Sequence, residues 1–266
     1  MKRTRLILLL LVLAGSACGN DDTKKCYRES DDDLIIQYCS RAIQSGELSQ
    51  DNLAITYTNR GNAYGRKGQY DRAIQDHSQA ISLNPNPTVA YFNRGNTYSR
   101  KGQFDRAIQD YNQAISLKPD FATAYAGRGH AYSQKGQYDR AIQDHSQAIS
   151  LNPDSNLAYN GRAWSRYMLG QNVKALPDVE KALSLSPNNA PTIDTRAHIL
   201  TGLNRPQEAL KEFERAMQVG GAELVRKYQK ALQKHGYDPG PVDGTFDEAT
   251  RQALWACLKT SCRLVE

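Results

Sequence analysis

The sequence predicts an all-α solenoid of helical hairpins followed by a small helical module, and three observations predict it. A block of nine residues returns as GQYDRAIQD from Gly68, GQFDRAIQD from Gly102 and GQYDRAIQD from Gly136, each copy 34 positions after the last. Pro85, Pro119, Pro153 and Pro187 keep the same beat, as do Tyr57, Tyr91, Tyr125 and Tyr159. After Gly220-Gly221 the beat stops and a helix, a Gly/Pro loop and a second helix follow. A fixed period of this length belongs to units that stack into a one-dimensional array with a long face for holding another molecule.

The chain opens with Lys2, Arg3 and Arg5, an uninterrupted apolar run from Leu6 to Leu13 and the small residues Ala14 to Ala17. That order marks residues 1–17 as a secretory signal peptide, and the run is too short to span a bilayer. An exported protein is expected, periplasmic or held at the outer membrane. Taking the three leading basic residues from the 34 present leaves 31 against 28 acids, so a net charge of +6 becomes about +3. So weak a bias, without a polybasic segment, argues against nucleic acid as a partner. Cys18, after Gly15-Ser16-Ala17, resembles the acylated cysteine of a bacterial lipoprotein, with glycine where that motif usually has leucine. The resemblance implies an outer-membrane lipid anchor, and ordinary signal cleavage beside Ala17 or Gly19 is the alternative.

With Cys18 acylated or removed, Cys26, Cys39, Cys257 and Cys262 form an even set, and an exported compartment favours disulfides. Local pairs are the economical assignment. Cys26 to Cys39 would close a loop around Asp31 to Asp33 and clamp Leu34 to Gln44, a capping half-hairpin within residues 18–53, onto the first repeat. A crosslink of that loop length contributes about 3 kcal/mol where unstrained. Cys257 to Cys262 requires the last helix to end near Leu258, because an intact helix holds residues five apart too far for a disulfide.

Within one period, Tyr57, Gly61 and Tyr64 recur at helical spacing until Gly68 interrupts. A second helix follows, with Asp71 placed to cap it and Tyr70, Ala73, Ile74, His77, Ala80 and Ile81 as its buried stripe. Asn84-Pro85 stops it, because the residue before proline is pushed out of the helical region. Gly61 and Ala80 are small where the two helices must approach closely.

Tyr57, Gly61, Tyr64, Ala73, Ala80 and Pro85 together resemble the signature of the tetratricopeptide repeat. Copies are expected at 54–87, 88–121, 122–155, 156–189 and 190–221, the fourth and fifth degenerate. The resemblance implies a right-handed superhelix that binds peptides or protein surfaces, without naming the partner. The chain departs from that pattern at the seventh position, where Arg60, Arg94, Arg128, Arg162 and Arg196 replace the common leucine. Sixteen residues after each stands an acid, Asp76, Asp110, Asp144, Asp178 and Glu212. Because both positions change together, a structural ladder of charge pairs is expected rather than a basic ligand-binding row.

On the first helix of this family the ninth position faces the concave groove, and here that column reads Asn62, Asn96, His130, Trp164 and His198. One specialisation of the family clamps a carboxylate with two asparagines and three basic residues. Asn62 and Asn93 fall on the asparagine positions, but Thr58, Thr123 and Gly127 stand where the basic residues belong. Asparagines along an extended peptide backbone are the better expectation.

Residues 222–266 carry Leu224, Val225, Tyr228, Ala231 and Leu232 at helical spacing, a loop from His235 to Gly244, and a helix from Thr250 to Leu258. Val225, Gln229, Gly236, Tyr237, Pro239, Gly240, Val242, Asp243, Gly244, Phe246, Thr250, Ala253 and Leu254 resemble, in order, the peptidoglycan-binding module appended to many cell-wall hydrolases. Asp247-Glu248 and Trp255-Ala256-Cys257 depart from it. The resemblance implies peptidoglycan as a partner, with Tyr237, Asp243 and Phe246 as the candidate contacts.

No zinc-protease, nucleophile-elbow, P-loop or dinucleotide motif appears, and the repeats and the module leave no stretch large enough for a catalytic domain. His77 and His145 occupy a position held by Tyr111 and Phe213 in other copies, so packed rings are expected rather than bases. No cofactor, metal or catalytic residue is predicted. The expected function is a non-enzymatic envelope scaffold that recruits a protein or peptide partner and associates with peptidoglycan. The alternative is a regulator or accessory subunit of a cell-wall hydrolase or an envelope assembly machine.

Overall fold

A computed structural model describes residues 15–260, 262 and 264, with side chains from residue 21 onward. The apolar run of the expected signal peptide and the side chain of Cys18 lie outside the described residues. Among the described residues there are thirteen α-helices and no strand. The chain divides into two compact units, one reaching to Ala131 and one starting at Tyr132.

The first unit holds α1 (Gly15–Arg28), α2 (Asp32–Gln44), α3 (Gln50–Arg66), α4 (Tyr70–Leu83), α5 (Thr88–Arg100), α6 (Phe104–Leu117) and most of α7 (Ala122–Gln134). From α1 to α6 each helix packs on the next, which is the stacking that local hairpins produce. The first and second helices of a copy meet over a glycine. A Cβ on Gly61 would stand 2.8 Å from the His77 ring and one on Gly95 3.0 Å from the Tyr111 ring, so these helices approach only where a side chain is missing.

The N-terminal cap is a whole hairpin, which corrects the half-hairpin expected from the sequence. α1 lies on α2 and α2 lies on α3. The first helix escapes sequence reasoning because its buried face is Asp22 and Cys26, four residues apart, rather than an apolar stripe. Arg41 Nε and Nη2 donate to the two Asp22 carboxylate oxygens at 2.8 and 2.7 Å. Cys26 and Cys39 are disulfide-bonded with Cα atoms 4.9 Å apart, and they pack with Ile35 and with Ala63 of the first repeat. Asp71 also takes a different place from the one expected. Gln69 stands at the N-cap position of α4 without a side-chain cap, and the Asp71 carboxylate pairs instead with Lys101 of the following copy.

The second unit holds α8 (Tyr138–Leu151), α9 (Asn156–Met168), α10 (Asn172–Leu185), α11 (Ala190–Gly202), α12 (Pro206–Lys234) and α13 (Glu248–Lys259). α12 is two helices joined at Gly221, whose φ of 67° and ψ of −166° only glycine adopts readily. The core does not stop at that break. Leu200, Phe213 and Met217 of the fifth copy share one buried cluster with Val225, Tyr228, Leu232, Leu254 and Leu258 of the C-terminal module. α13 ends at Lys259, Thr260 closes it, and Cys257 is disulfide-bonded to Cys262 just beyond.

Candidate functional site

The arginine row is clamped from two sides. Arg60 Nε and Nη2 donate to the two oxygens of Asp76 at 2.8 Å each, while Nη1 donates to Ser40 Oγ at 3.0 Å. Arg94 repeats this with Asp110 at 2.8 Å twice and Ser78 at 3.0 Å. Arg162 repeats it with Asp178 at 2.9 and 2.6 Å and Ser146 at 3.1 Å. Arg196 Nη1 donates to Glu212 at 2.7 Å, and Arg128 Nη1 donates to Asn112 at 2.6 Å. Asp144, the acid in register with Arg128, is buried like Asp76, Asp110 and Asp178. The guanidinium groups of Arg60, Arg94, Arg128 and Arg162 also lie over Tyr57, Tyr91, Tyr125 and Tyr159, 5.4 to 5.7 Å from the ring centroids. Forked, stacked and mostly covered, these cations hold neighbouring helices and do not offer an open anion-binding row. The third members of the Arg94, Arg128 and Arg162 rungs, Ser78, Asn112 and Ser146, keep the period but escape sequence reasoning, whereas the Arg60 rung uses Ser40 of the cap, off the period.

The column expected to line a groove lies on the first helix of each copy. Positions seven apart lie on one side of a helix, two turns along. Ile55 shares a side with Asn62 on α3, Val89 with Asn96 on α5, and Leu157 with Trp164 on α9. Ile55, Val89 and Leu157 are 48%, 57% and 68% exposed, which is unusual for large apolar residues recurring in register, and the sequence alone does not set them apart from core residues. Asn62, Asn93 and Asn96 are half-buried and His130 is exposed. Asn96 Oδ1 accepts the Tyr111 hydroxyl at 2.7 Å, which aims its amide nitrogen away from that ring as a donor. Trp164 is half-buried, its ring 5.5 Å from Tyr167 and 5.8 Å from His198, so it serves packing as well as surface.

His198 does not face the groove, a correction to its assignment as a partner contact. It is 4% exposed and enclosed by Trp164, Tyr167, Phe213 and Tyr228. The helix after Gly221 covers it. Tyr228 donates its hydroxyl to Asp194, and the His198 Nε2 atom lies 3.3 Å from that hydroxyl and 3.8 Å from Asp194 Oδ1. Burial pushes the His198 pKa below its ordinary value, with Asp194 opposing. His77 is likewise buried, and desolvation together with Arg94 lowers its pKa to about 4. It is a neutral ring filling the space that Gly61 leaves, as the sequence suggests.

In the C-terminal module, buried Gln229 organises the loop. Its Nε2 donates to Thr245 O at 3.1 Å and Thr250 Oγ1 at 3.2 Å, and its Oε1 accepts Gly244 N at 3.0 Å. Asp243 is exposed, but Oδ1 accepts Thr245 N at 2.7 Å, and that backbone hydrogen bond leads the causes holding its carboxyl below the usual range. Phe246 turns toward the shared core and is half-buried there. Tyr237 is half-buried, its hydroxyl 2.6 Å from Thr260 Oγ1. Of the three candidate wall contacts, Asp243 is exposed, while Tyr237 and Phe246 are half-buried and both pack against the shared core. Among the described residues no group of three His, Cys, Asp or Glu side chains could hold a metal ion, and no helix is long and apolar enough to cross a membrane.

Tetratricopeptide repeat family models match residues 54–87, 78–109, 98–136 and 122–155, and the peptidoglycan binding domain model matches residues 221–256. The chain is a tetratricopeptide repeat protein with a C-terminal peptidoglycan-binding-like domain. Its fold is similar to that of a tetratricopeptide repeat protein from Parabacteroides merdae, with a TM-score of 0.68 at 20% identity over 91% of this chain and 99% of that one. A thermophilic tetratricopeptide protein of Thermus thermophilus matches with a TM-score of 0.59 at 21% identity, covering 68% of this chain and 99% of that chain. MamA matches at 26% identity and a TM-score of 0.52 over 60% of this chain and 94% of that chain. No curated protein matches the tetratricopeptide chain in sequence.

Proposed function

We propose that the protein is a non-enzymatic scaffold of the bacterial cell envelope, exported through residues 1–17 and anchored at the outer membrane through Cys18. Its tetratricopeptide groove holds a protein or extended peptide partner, and its C-terminal module associates with peptidoglycan. The observation that carries the groove reading is the repeated pair of an exposed apolar side chain and an amide on one helix side, Ile55 with Asn62 and then Val89 with Asn96. An extended chain alternates side chains and backbone amides, so such rungs suit apolar contacts interleaved with amide hydrogen bonds. YrrB, described as a tetratricopeptide protein with an unusual peptide-binding site, supports the choice through shared fold at 19% identity and a TM-score of 0.52, over 68% of this chain and 91% of that chain. For the wall, the support is the matched domain, the exposed Asp243 and the half-buried Tyr237 on the same loop.

Capture of partners from envelope extract by the full mature chain tests the groove. Changing Asn62 to Ala and Val89 to Ser together is expected to lose the partner while the melting temperature holds, and unchanged capture would sink the groove. Sedimentation of the same chain with purified sacculi tests the wall. Binding is expected to survive a salt series and to fall with Tyr237→Ala, whereas binding that vanishes at modest salt is non-specific attraction.

A further inference from the structure

A cleft of about 630 Å3 opens between the first turn of α11 and the helix that follows Gly221. Its apolar surface comes from Ala190, Pro191 and Leu224, and Arg226, Lys227 and Lys230 stand exposed around it. The lining holds two acids, Asp194 and Glu223. Asp194 is engaged by the Tyr228 hydroxyl, which leaves Glu223 as the carboxylate facing these cations. Arg226 Nη1 donates to the Asp243 carbonyl at 3.2 Å, and Lys227 and Lys230 make no ion pair among the described residues. The volume is that of a site for a small ligand or a few residues of a peptide.

Its place in the second unit says which ligand reaches it. Pro191 follows the exposed Leu157 by one period, on the same side of the first helix of the next copy. A chain lying over Leu157 on α9 is therefore led to Pro191 on α11, and the next feature it meets is the cleft. We infer that this cleft is a second recognition site, taking an acidic segment of the peptide partner, with an apolar side chain on Pro191 and Leu224 and carboxylates toward Lys227 and Lys230. The inference rests on the groove as a peptide site and adds to it a preference for charge at one end of the ligand. Lysine suits this task as a mobile point charge that needs no fixed fork geometry.

Fluorescence polarisation with three labelled octapeptides tests it on the full mature chain, the peptides alternating Leu with Glu, with Gln or with Lys. The Glu peptide is expected to bind tightest. Changing Lys227 and Lys230 to Gln together is expected to weaken it about tenfold, the combined worth of two exposed charge contacts, and to leave the Gln peptide unchanged. Glu223→Gln is expected to tighten the Glu peptide. Equal binding of the Glu and Gln peptides, or full binding to the double variant, overturns the inference. Loss of sacculus sedimentation in the double variant without loss of Glu-peptide binding also overturns it, and assigns the lysines to the wall. If Asn62→Ala with Asn96→Ala leaves the Gln peptide bound as before, the groove reading fails separately.

Discussion

The interior copies and the C-terminal end of this protein are held together by different means. Around the second copy the buried residues are mostly Ala107, Ala114, Tyr111 and Asp110, with Arg94 bonded to Asp110 and Ser78. At the C-terminal end the fifth copy and the module share Leu200, Phe213, Met217, Leu232 and Leu254. Small residues and directional hydrogen bonds specify how one copy sits on the next, and Arg94 and Arg162 do so with the same set of partners. Bulky apolar residues close the end, where no further copy covers the exposed face.

The comparison breaks most sharply at the apolar end. Phe213→Ala is expected to cost about 4 kcal/mol in chemical denaturation, and, because the core is shared, the fifth copy and the module should unfold in one transition. Two separate transitions would show that the module is an independent domain. The next effect belongs to the ladder. Asp110→Asn strands the mostly covered Arg94 guanidinium and should cost about 3 kcal/mol, whereas Arg94→Leu with Asp110→Leu should cost much less. Equal losses would mean that the pair stabilises through its attraction alone.

Acid should weaken the interior copies through His77. Its folded pKa of about 4 lies below the ordinary 6.5, so its contribution is fully present above pH 6.5 and is lost as pH falls toward 4. The loss should approach about 3 kcal/mol below pH 4. His77→Phe should flatten that part of the stability profile, and an unchanged profile would place the acid response in other groups. The smallest effect is expected on the groove face. Ile55→Ser should change stability by less than about 0.5 kcal/mol, because the side chain is already half in water, while weakening partner capture.

The repeats were legible in the sequence because each copy confirms the next. Tyr57, Gly61, Ala73 and Pro85 are weak signals alone and strong ones when they return at 34. The same reasoning failed where the period ends. His198 sits in the groove column by count, but its outer neighbour is Tyr228 of a helix belonging to another pattern, and a column carries no information about what covers its last member. α1 was missed for a related reason, since Asp22 and Cys26 are buried by partners on α2 that no periodicity announces. The exposed Ile55 and Val89 were written in the sequence, yet an apolar residue in a helix reads as core until its surroundings are known.

Arg94 reaches Ser78 sixteen residues before it and Asp110 sixteen residues after it, and Arg162 does the same with Ser146 and Asp178. These two rungs therefore measure chain length in both directions. Adding or removing a whole copy of 34 residues leaves every such distance intact, whereas one inserted residue between Ser78 and Asp110 misaligns a rung on one side of its arginine. The array can grow or shrink by complete copies and resists any other change of length.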